Sequence, residues 1–402
     1  MEPCVMADAA NPHAEVSIGF VSELSLSHRA AWSGTLKYML KALVQAGGDV
    51  NQVPPVMEGP TIVLNRTSKL IAHLTGKNPM LNRLGQVSEL KARRLQRAAQ
   101  AAKADVLFAP VGSSLIARMP PGFPIVYSSD ATVKLMATYY SSFDGMNEAT
   151  LQRSIALECQ AMHRADLLIY PTEWAAGSAI QDYGINPARI MIQPFGANID
   201  IPPQRADVLR PRAPGPWRLL FCGVEWRRKG GDIALAAVEL LAERGIDVEL
   251  HILGCTPEPK RDLPKNITVT PFLNKSVPAD AARFRQIFQD ADVLILPTQA
   301  ECYGLVFCEA AAFGTVSVAT RTGGVPEVIR DGETGLTIPP GPDPRPWADA
   351  LESILQSHGK LEDMRVAARD DFENRLNWGV WGQAVLPRMQ SLGADKLRRY
   401  HR

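Results

Sequence analysis

Glu301 and Glu309 enclose the run Cys-Tyr-Gly-Leu-Val-Phe-Cys, and Gly323-Gly324-Val325-Pro326-Glu327 follows after a stretch of small residues. Directly before them lies Asp292-Val-Leu-Ile-Leu-Pro297, an apolar run of the length of a buried strand. In open α/β sheets, ligands bind where a strand passes through a short loop into a helix. The first helical amides have no intrahelical partner there and attract anions, while carboxylates accept hydrogen bonds from sugar hydroxyls. A site that grips both a phosphate and polyols points to a nucleotide-sugar. The plainer reading is a strand-to-helix junction with solvated glutamates.

A second stretch has complementary charge. Phe221-Cys-Gly223-Val-Glu-Trp-Arg-Arg228-Lys229-Gly230-Gly231 leads from a strand-like segment into a helix-like one and puts Arg228 and Lys229 beside a glycine pair. Fixed cations and oriented amides are what a diphosphate needs. A solvated basic loop would use the same residues. Nearer the start, Ser33-Gly34-Thr35 opens a helical pattern, and its serine is also a natural N-cap. Tyr127-Ser-Ser-Asp130-Ala-Thr132 ends a strand, so Asp130 either faces a ligand or caps the next helix.

The elements that must position these residues alternate. Val16–Val21, Thr61–Leu64, Asp105–Ala109, Ile125–Tyr127, Asp166–Tyr170 and Arg189–Gln193 read as strands. Leu36, Met39, Leu40 and Leu43 recur at helical spacing, with Gly47-Gly48 as a stop. Between Asp200 and Trp217 five prolines and little apolar periodicity mark a linker. The alternation then restarts, with strands at Trp217–Cys222, Val248–Leu253, Ile267–Thr270 and Val293–Leu296. Helices are expected at Asp232–Arg244, Ala279–Gln289, Val306–Phe313, Trp347–Gln356 and Trp378–Leu392. Strands separated by helix-length segments predict parallel sheets covered on both faces.

At 402 residues the chain has room for about two domains. Hydrophobic residues make up 46% and charged residues 21%, which suits large cores and argues against global disorder. A net charge of +1 argues against a dedicated nucleic-acid binder. No apolar run has the length to span a bilayer, and Met1–Glu15 lacks the basic-then-apolar order of a secretory signal, so it is expected to be a loose tail. Cys4, Cys159, Cys222, Cys255, Cys302 and Cys308 show no Cys-x-x-Cys pair and no zinc spacing with histidine. They are expected to be reduced core residues of a cytoplasmic protein.

The run from Leu294 to Gly335 resembles the donor-site signature of retaining GT-B glycosyltransferases, and is most similar to glycosyltransferase family 4. The resemblance rests on Leu296-Pro297-Thr298, the Glu301–Glu309 pair with its aromatic-Gly step, and Gly-Gly-x-Pro-Glu. It implies two Rossmann-like domains facing each other across a cleft, with a last helix crossing back to the first. The boundaries are an acceptor domain at 1–200, a linker at 201–216, a nucleotide-sugar domain at 217–377 and the crossover helix with its tail at 378–402. Lys229-Gly230 matches the family's Lys-Gly loop, but Val224 stands where an arginine usually follows Gly223, and Arg228 is the substitute.

By resemblance, Glu309 holds the ribose, and Glu301 sits beside the transferred sugar. Gly304, Leu305 and Val306 present amides, with Gly304 admitting the ligand to the backbone. The base rests near Phe272, in Thr270-Pro-Phe-Leu273, and Gly34 approaches donor phosphate or acceptor. Asp130 faces the reacting sugar. Tyr303 packs on the sugar or in the core, and His28 is the one histidine placed to meet ligand. Phe195-Gly196-Ala-Asn198-Ile-Asp200 resembles a structural turn before the linker. The implied activity is hexosyl transfer from a nucleoside-diphosphate sugar to a hydroxyl acceptor, with retention and without a metal cofactor. A nucleotide-sugar epimerase of the same fold and a non-catalytic nucleotide- or glycan-binding relative remain alternatives.

From Arg66 to Lys103 nine basic residues face the single acid Glu89, and Glu89–Lys103 interleaves leucines with arginines. That composition suits an anionic membrane surface, although charge runs are more often solvated faces.

Overall fold

The structure, a computed structural model, describes residues 16–23, 25–26, 32–140, 143, 146–212, 214–259 and 262–400. The expected tail Met1–Glu15, Cys4 and His28 lie outside the described residues, and of Ser33 only the backbone is described. The chain divides into two compact units: Met1–Pro171 with Ala175–Gln193 and Trp381–Arg402, and Thr172–Trp174 with Pro194–Val380.

The first unit is wound from β1 (Ser17–Val21), α1 (Thr35–Gln45), β2 (Asp49–Val53), α2 (Glu58–Thr75), α3 (Gly85–Ala101) and β3 (Val106–Pro110). It continues through α4 (Ser113–Ile116), β4 (Ile125–Ser128), α5 (Val133–Tyr139), α6 (Glu148–Arg164), β5 (Leu167–Tyr170), α7 (Glu173–Tyr183) and β6 (Ile190–Ile192). Its strands pair in parallel in the order β2-β1-β3-β4-β5-β6. β3, β4 and β5 are buried along their whole length, as central parallel strands covered on both faces must be.

The second unit runs through α8 (Arg205–Val208), β7 (Trp217–Cys222), α9 (Gly231–Glu243), β8 (Val248–Leu253), β9 (Ile267–Thr270), α10 (Pro278–Asp290) and β10 (Val293–Leu296). Then come α11 (Leu305–Ala312), β11 (Val316–Thr320), α12 (Val325–Val328), β12 (Gly335–Ile338), α13 (Arg345–Leu355), α14 (His358–Asn374) and α15 (Trp378–Tyr400), the last belonging to the first unit from Trp381 on. The parallel order is β12-β11-β10-β7-β8-β9. After β7 the chain winds toward β9, then returns to β10 and winds the other way. The winding therefore reverses between β7 and β10, and a crevice opens at the carboxyl ends of strands at such a point.

Three expectations need correction. Thr61–Leu64 is helical, inside α2. Its apolar run is too short to separate strand from helix, and Pro60 lies in the first helical turn, where a missing N–H costs nothing. The N-cap of α1 is Gly34, with no side-chain cap bond, rather than Ser33. Lys91 is no part of a solvated face: it is fully buried, and its Nζ reaches Ser114 Oγ at 3.0 Å and Glu23 Oε1 at 3.4 Å.

Candidate functional site

The loops after β7 and β10 meet at the reversal point of the second sheet. Gly230 adopts φ 76°, and a methyl on it would lie 1.9 Å from the Pro297 carbonyl oxygen, so only glycine lets the two loops approach this closely. The Gln299 amide donates to the Arg228 carbonyl at 2.8 Å, and Arg228 Nη1 donates to the Ala300 carbonyl at 2.8 Å. Gly231 leaves room for the Trp226 ring, 2.3 Å from where its Cβ would stand. Gly223 leaves room for the stem of Lys229, which would lie 2.9 Å from an added Cβ. The sequence thus uses its glycines to thread a lysine between two strand ends.

Lys229 is 8% exposed, and its Nζ forms an ion pair with Glu301. Gly304, at φ 87°, caps α11; a methyl there would enter the Phe307 ring, 2.4 Å away. Leu305 and Val306 are the first two residues of α11, so their amides face outward without an intrahelical acceptor. One turn on, the buried carboxylate of Glu309 is paired with Lys275 Nζ, which also donates to the Asn198 carbonyl at 3.1 Å and stands 4.7 Å over the Phe284 ring. The Cys222 thiol at the end of β7 marks where these groups converge. Burial pushes it up to about 12, Glu309 adds to the rise, and Lys275 and Lys229 oppose it. Two lysine–glutamate pairs therefore stand together at the carboxyl end of the sheet, beside the starts of α9 and α11.

Arg228 is turned toward its own loop. Its guanidinium grips Glu225 with two bonds of 2.9 Å and bonds the Ala300 carbonyl, so it closes the junction between the two loops. Phe272 is 60% exposed in the segment after β9. Tyr303 belongs to the core: it is 2% exposed, and its hydroxyl donates to the Phe195 carbonyl at 2.8 Å. Cys302 and Cys308 are buried, and burial raises the Cys308 thiol to about 12, so neither is a ready nucleophile. Glu327, from the Gly-Gly-x-Pro-Glu run, accepts the amides of Glu173 at 2.6 Å and Trp174 at 2.9 Å. Gly324 would meet the Cys302 carbonyl oxygen at 2.3 Å if it carried a methyl.

Sequence reasoning missed Lys275. A lone loop lysine after Phe272 carries no spacing that marks it, and only the fold brings it to Glu309. Glu225 was missed as the partner of Arg228, although its i, i+3 spacing was readable.

Gly34 and Asp130 belong to the first unit. Gly34 adopts φ 83° with nothing among the described residues within 4 Å of an added Cβ, so it serves the turn. Asp130 follows β4 and is half-buried. The next helix is capped by Thr132, whose side chain accepts from the Leu135 amide at 3.2 Å, so Asp130 is not its cap. Among the described residues, no three His, Cys, Asp or Glu side chains are grouped to hold a metal ion.

Two doubly wound parallel sheets, one carrying paired lysines and glutamates at its reversal point, define the GT-B class of α/β fold. The family model described as Glycosyl transferases group 1 matches residues 216–357. A D-inositol 3-phosphate glycosyltransferase from Corynebacterium diphtheriae is 30% identical over 287 residues, covering 68% of this chain and 65% of that protein. The match thus spans just under two thirds of the relative's length. Sucrose-phosphate synthase from Thermosynechococcus elongatus superposes with a TM-score of 0.67 at 17% identity, over 96% of this chain and 100% of that one. Anabaena HepE, solved in complex with UDP-glucose, gives a TM-score of 0.59 at 16% identity, over 94% and 99%.

Proposed function

We propose that the chain is a retaining glycosyltransferase of family 4 type, moving a hexosyl group from a nucleoside-diphosphate sugar to a hydroxyl acceptor in the cytoplasm, without a divalent metal. The observation that carries the reading is the pair of ion pairs, Lys229–Glu301 and Lys275–Glu309, beside two helix starts. The diphosphate takes Lys229, Lys275 and the amides at Leu305 and Val306. Arg228 holds the loop that aims Lys229. Glu309 accepts from the ribose, Glu301 from a sugar hydroxyl, and Phe272 offers an exposed ring to the base. Asp130 and Gly34 are assigned to the acceptor side of the reaction.

In the transfer step the bond from the anomeric carbon to the leaving phosphate oxygen breaks, and its electron pair stays on the phosphate. The acceptor oxygen bonds to that carbon from the same face, and its proton passes to the leaving phosphate. No protein nucleophile takes part. Positioning and charge stabilisation by Lys229, Lys275 and the amides supply the catalysis. The names of the relatives make D-inositol 3-phosphate the first acceptor to try and UDP-glucose the first donor, ahead of larger glycan or lipid-linked acceptors.

The test is thermal stabilisation by a panel of nucleoside diphosphates and their sugars, with and without chelator, followed by NMR of any product. Ligand at a hundredfold excess over its dissociation constant adds about 2.7 kcal/mol. The expected outcome is one base standing out, indifferent to chelator, and a product with the donor's anomeric configuration. No stabilisation by any of them overturns the donor site. An inverted product overturns retention, and conversion of donor without acceptor shows an epimerase.

A further inference from the structure

α2 is built inside-out. Its two buried residues, Thr61 and Ser68, are polar, and Thr61 Oγ1 is buried without a hydrogen-bond partner among the described residues. Val63, Leu70 and Leu74 on the opposite side are 61%, 58% and 72% exposed. Val63, Arg66, Leu70 and Leu74 follow i, i+3, i+7, i+11 spacing and so form one stripe along the helix, flanked by exposed Lys69 and, past its end, Lys77. α3 is ordinarily amphipathic but also shows a cationic outer face: Leu90, Arg93, Arg94 and Arg97 fall at i, i+3, i+4, i+7 and are all exposed, Arg93 paired with Glu89, while Lys91, Ala92, Leu95 and Ala99 face inward. Of the nine exposed large apolar side chains among the described residues, four lie on these two helices. From residue 59 to 103 the exposed cations are Arg66, Lys69, Lys77, Arg93, Arg94, Arg97 and Lys103, and the single acid is Glu89.

We propose that the outer faces of α2 and α3 dock on an anionic lipid surface, with Val63, Leu70 and Leu74 entering the headgroup boundary and the arginines and lysines held at the phosphates. Apolar side chains rimmed by cations on one helix face are the composition an acidic bilayer interface rewards. A second copy of the chain is disfavoured, because two such faces repel. Nucleic acid would leave the three aliphatic side chains of α2 without a partner. The proposal stands apart from the glycosyltransferase reading, since docking needs neither donor nor acceptor.

Flotation with vesicles of phosphatidylcholine alone, and of phosphatidylcholine mixed with phosphatidylglycerol, tests it on the full chain. The protein is expected to float with the anionic vesicles only, and less as salt rises. Arg93→Gln/Arg94→Gln/Arg97→Gln is expected to weaken partitioning roughly a hundredfold, and Leu70→Ser/Leu74→Ser roughly tenfold or more. Both variants alter exposed positions, so their melting temperatures should match the parent's, which separates lost docking from lost fold. No flotation with anionic vesicles overturns the proposal, as does equal binding to neutral vesicles or unchanged binding by both variants. Concentration-dependent self-association without lipid, abolished by Leu70→Ser/Leu74→Ser, would assign the face to a second copy instead.

Discussion

Lys229 is paired with Glu301, and Lys275 with Glu309, so in the proposed reaction an arriving diphosphate competes for cations that are already neutralised. On the proposed reading, each carboxylate becomes available to hydroxyls once its lysine turns to phosphate. The two lysines should then differ in kind. If Lys229, wedged between the loops, acts where leaving-group charge develops, as proposed, Lys229→Ala or Glu301→Ala should cost roughly a hundredfold or more in turnover. Circular dichroism should show both variants folded. Lys275, more exposed and tied to Glu309, should on the same reading mainly set donor affinity. Lys275→Met is expected to raise the donor KM with a smaller effect on kcat, and Lys275→Arg to restore part of it. Steady-state kinetics decide: parental rates in the Lys229 and Glu301 variants would remove the site assignment, and an unchanged KM in Lys275→Met would remove that lysine from it.

At the scale of elements, one buried carboxyl ties three helices together. Glu158 on α6 accepts the Val133 amide at the start of α5 at 2.6 Å and the Tyr183 hydroxyl at the end of α7 at 2.6 Å. Burial pushes this carboxyl above its ordinary value, against those two bonds. The folded state therefore holds its proton more tightly than the unfolded chain. The stability this contributes is fully present below the unfolded carboxyl value and fades as pH rises through the raised native one. Glu158→Gln keeps an acceptor and cannot ionise, so its melting temperature should gain on the parent's as pH rises. Glu158→Ala takes the acceptor from three buried donors, the Val133 amide and the Tyr183 and Tyr127 hydroxyls, and should lose about 1–3 kcal/mol for each left unpaired. A parent-to-Gln difference flat in pH would show that Glu158 does not titrate in this way. None of this was legible in the sequence, where Glu158 sits unremarked in a helical stretch. What was legible had simple local causes: β7 and β10 are short, largely apolar runs, β8 and β9 alternate apolar and polar residues, and the Gly230 and Gly304 turns advertise helix starts. β2 was missed because Asp49–Val53 is a largely polar edge strand with a single neighbour. Thr61–Leu64 was misread because α2 turns apolar residues outward and buries polar ones, inverting the pattern by which helices are recognised.

For the whole molecule the decisive element is α15, whose residues belong to both units. Its first turn is held in the second: Trp378 Nε1 donates to Asn198 Oδ1 at 3.0 Å, its ring stacks on Phe195 at 5.6 Å, and Gly196 has no room for a side chain beside the Trp378 amide. One turn later the helix is part of the first. Trp381 is fully buried with its ring 5.9 Å from Phe108, and Gly382 would meet the Ala42 carbonyl oxygen at 2.5 Å if it carried a methyl. Two adjacent turns of one helix thus complete two separate cores, and the two tryptophans should report on them separately. Trp381→Ala should cost about 3–5 kcal/mol, as large-to-small changes in packed cores do. The cost should fall on the first unit: native-state hydrogen exchange should quicken in α1, β1 and β3 while α9 and β7 keep their protection. Trp378→Ala should do the reverse, loosening residues 195–198 and leaving β3 protected. If either variant instead lowers protection evenly across both sheets, the chain unfolds as one cooperative body and α15 is the strut that couples it. Opposed local patterns would show that the helix serves two cores whose stabilities are set independently, so that a substitution in the second unit need not weaken the first.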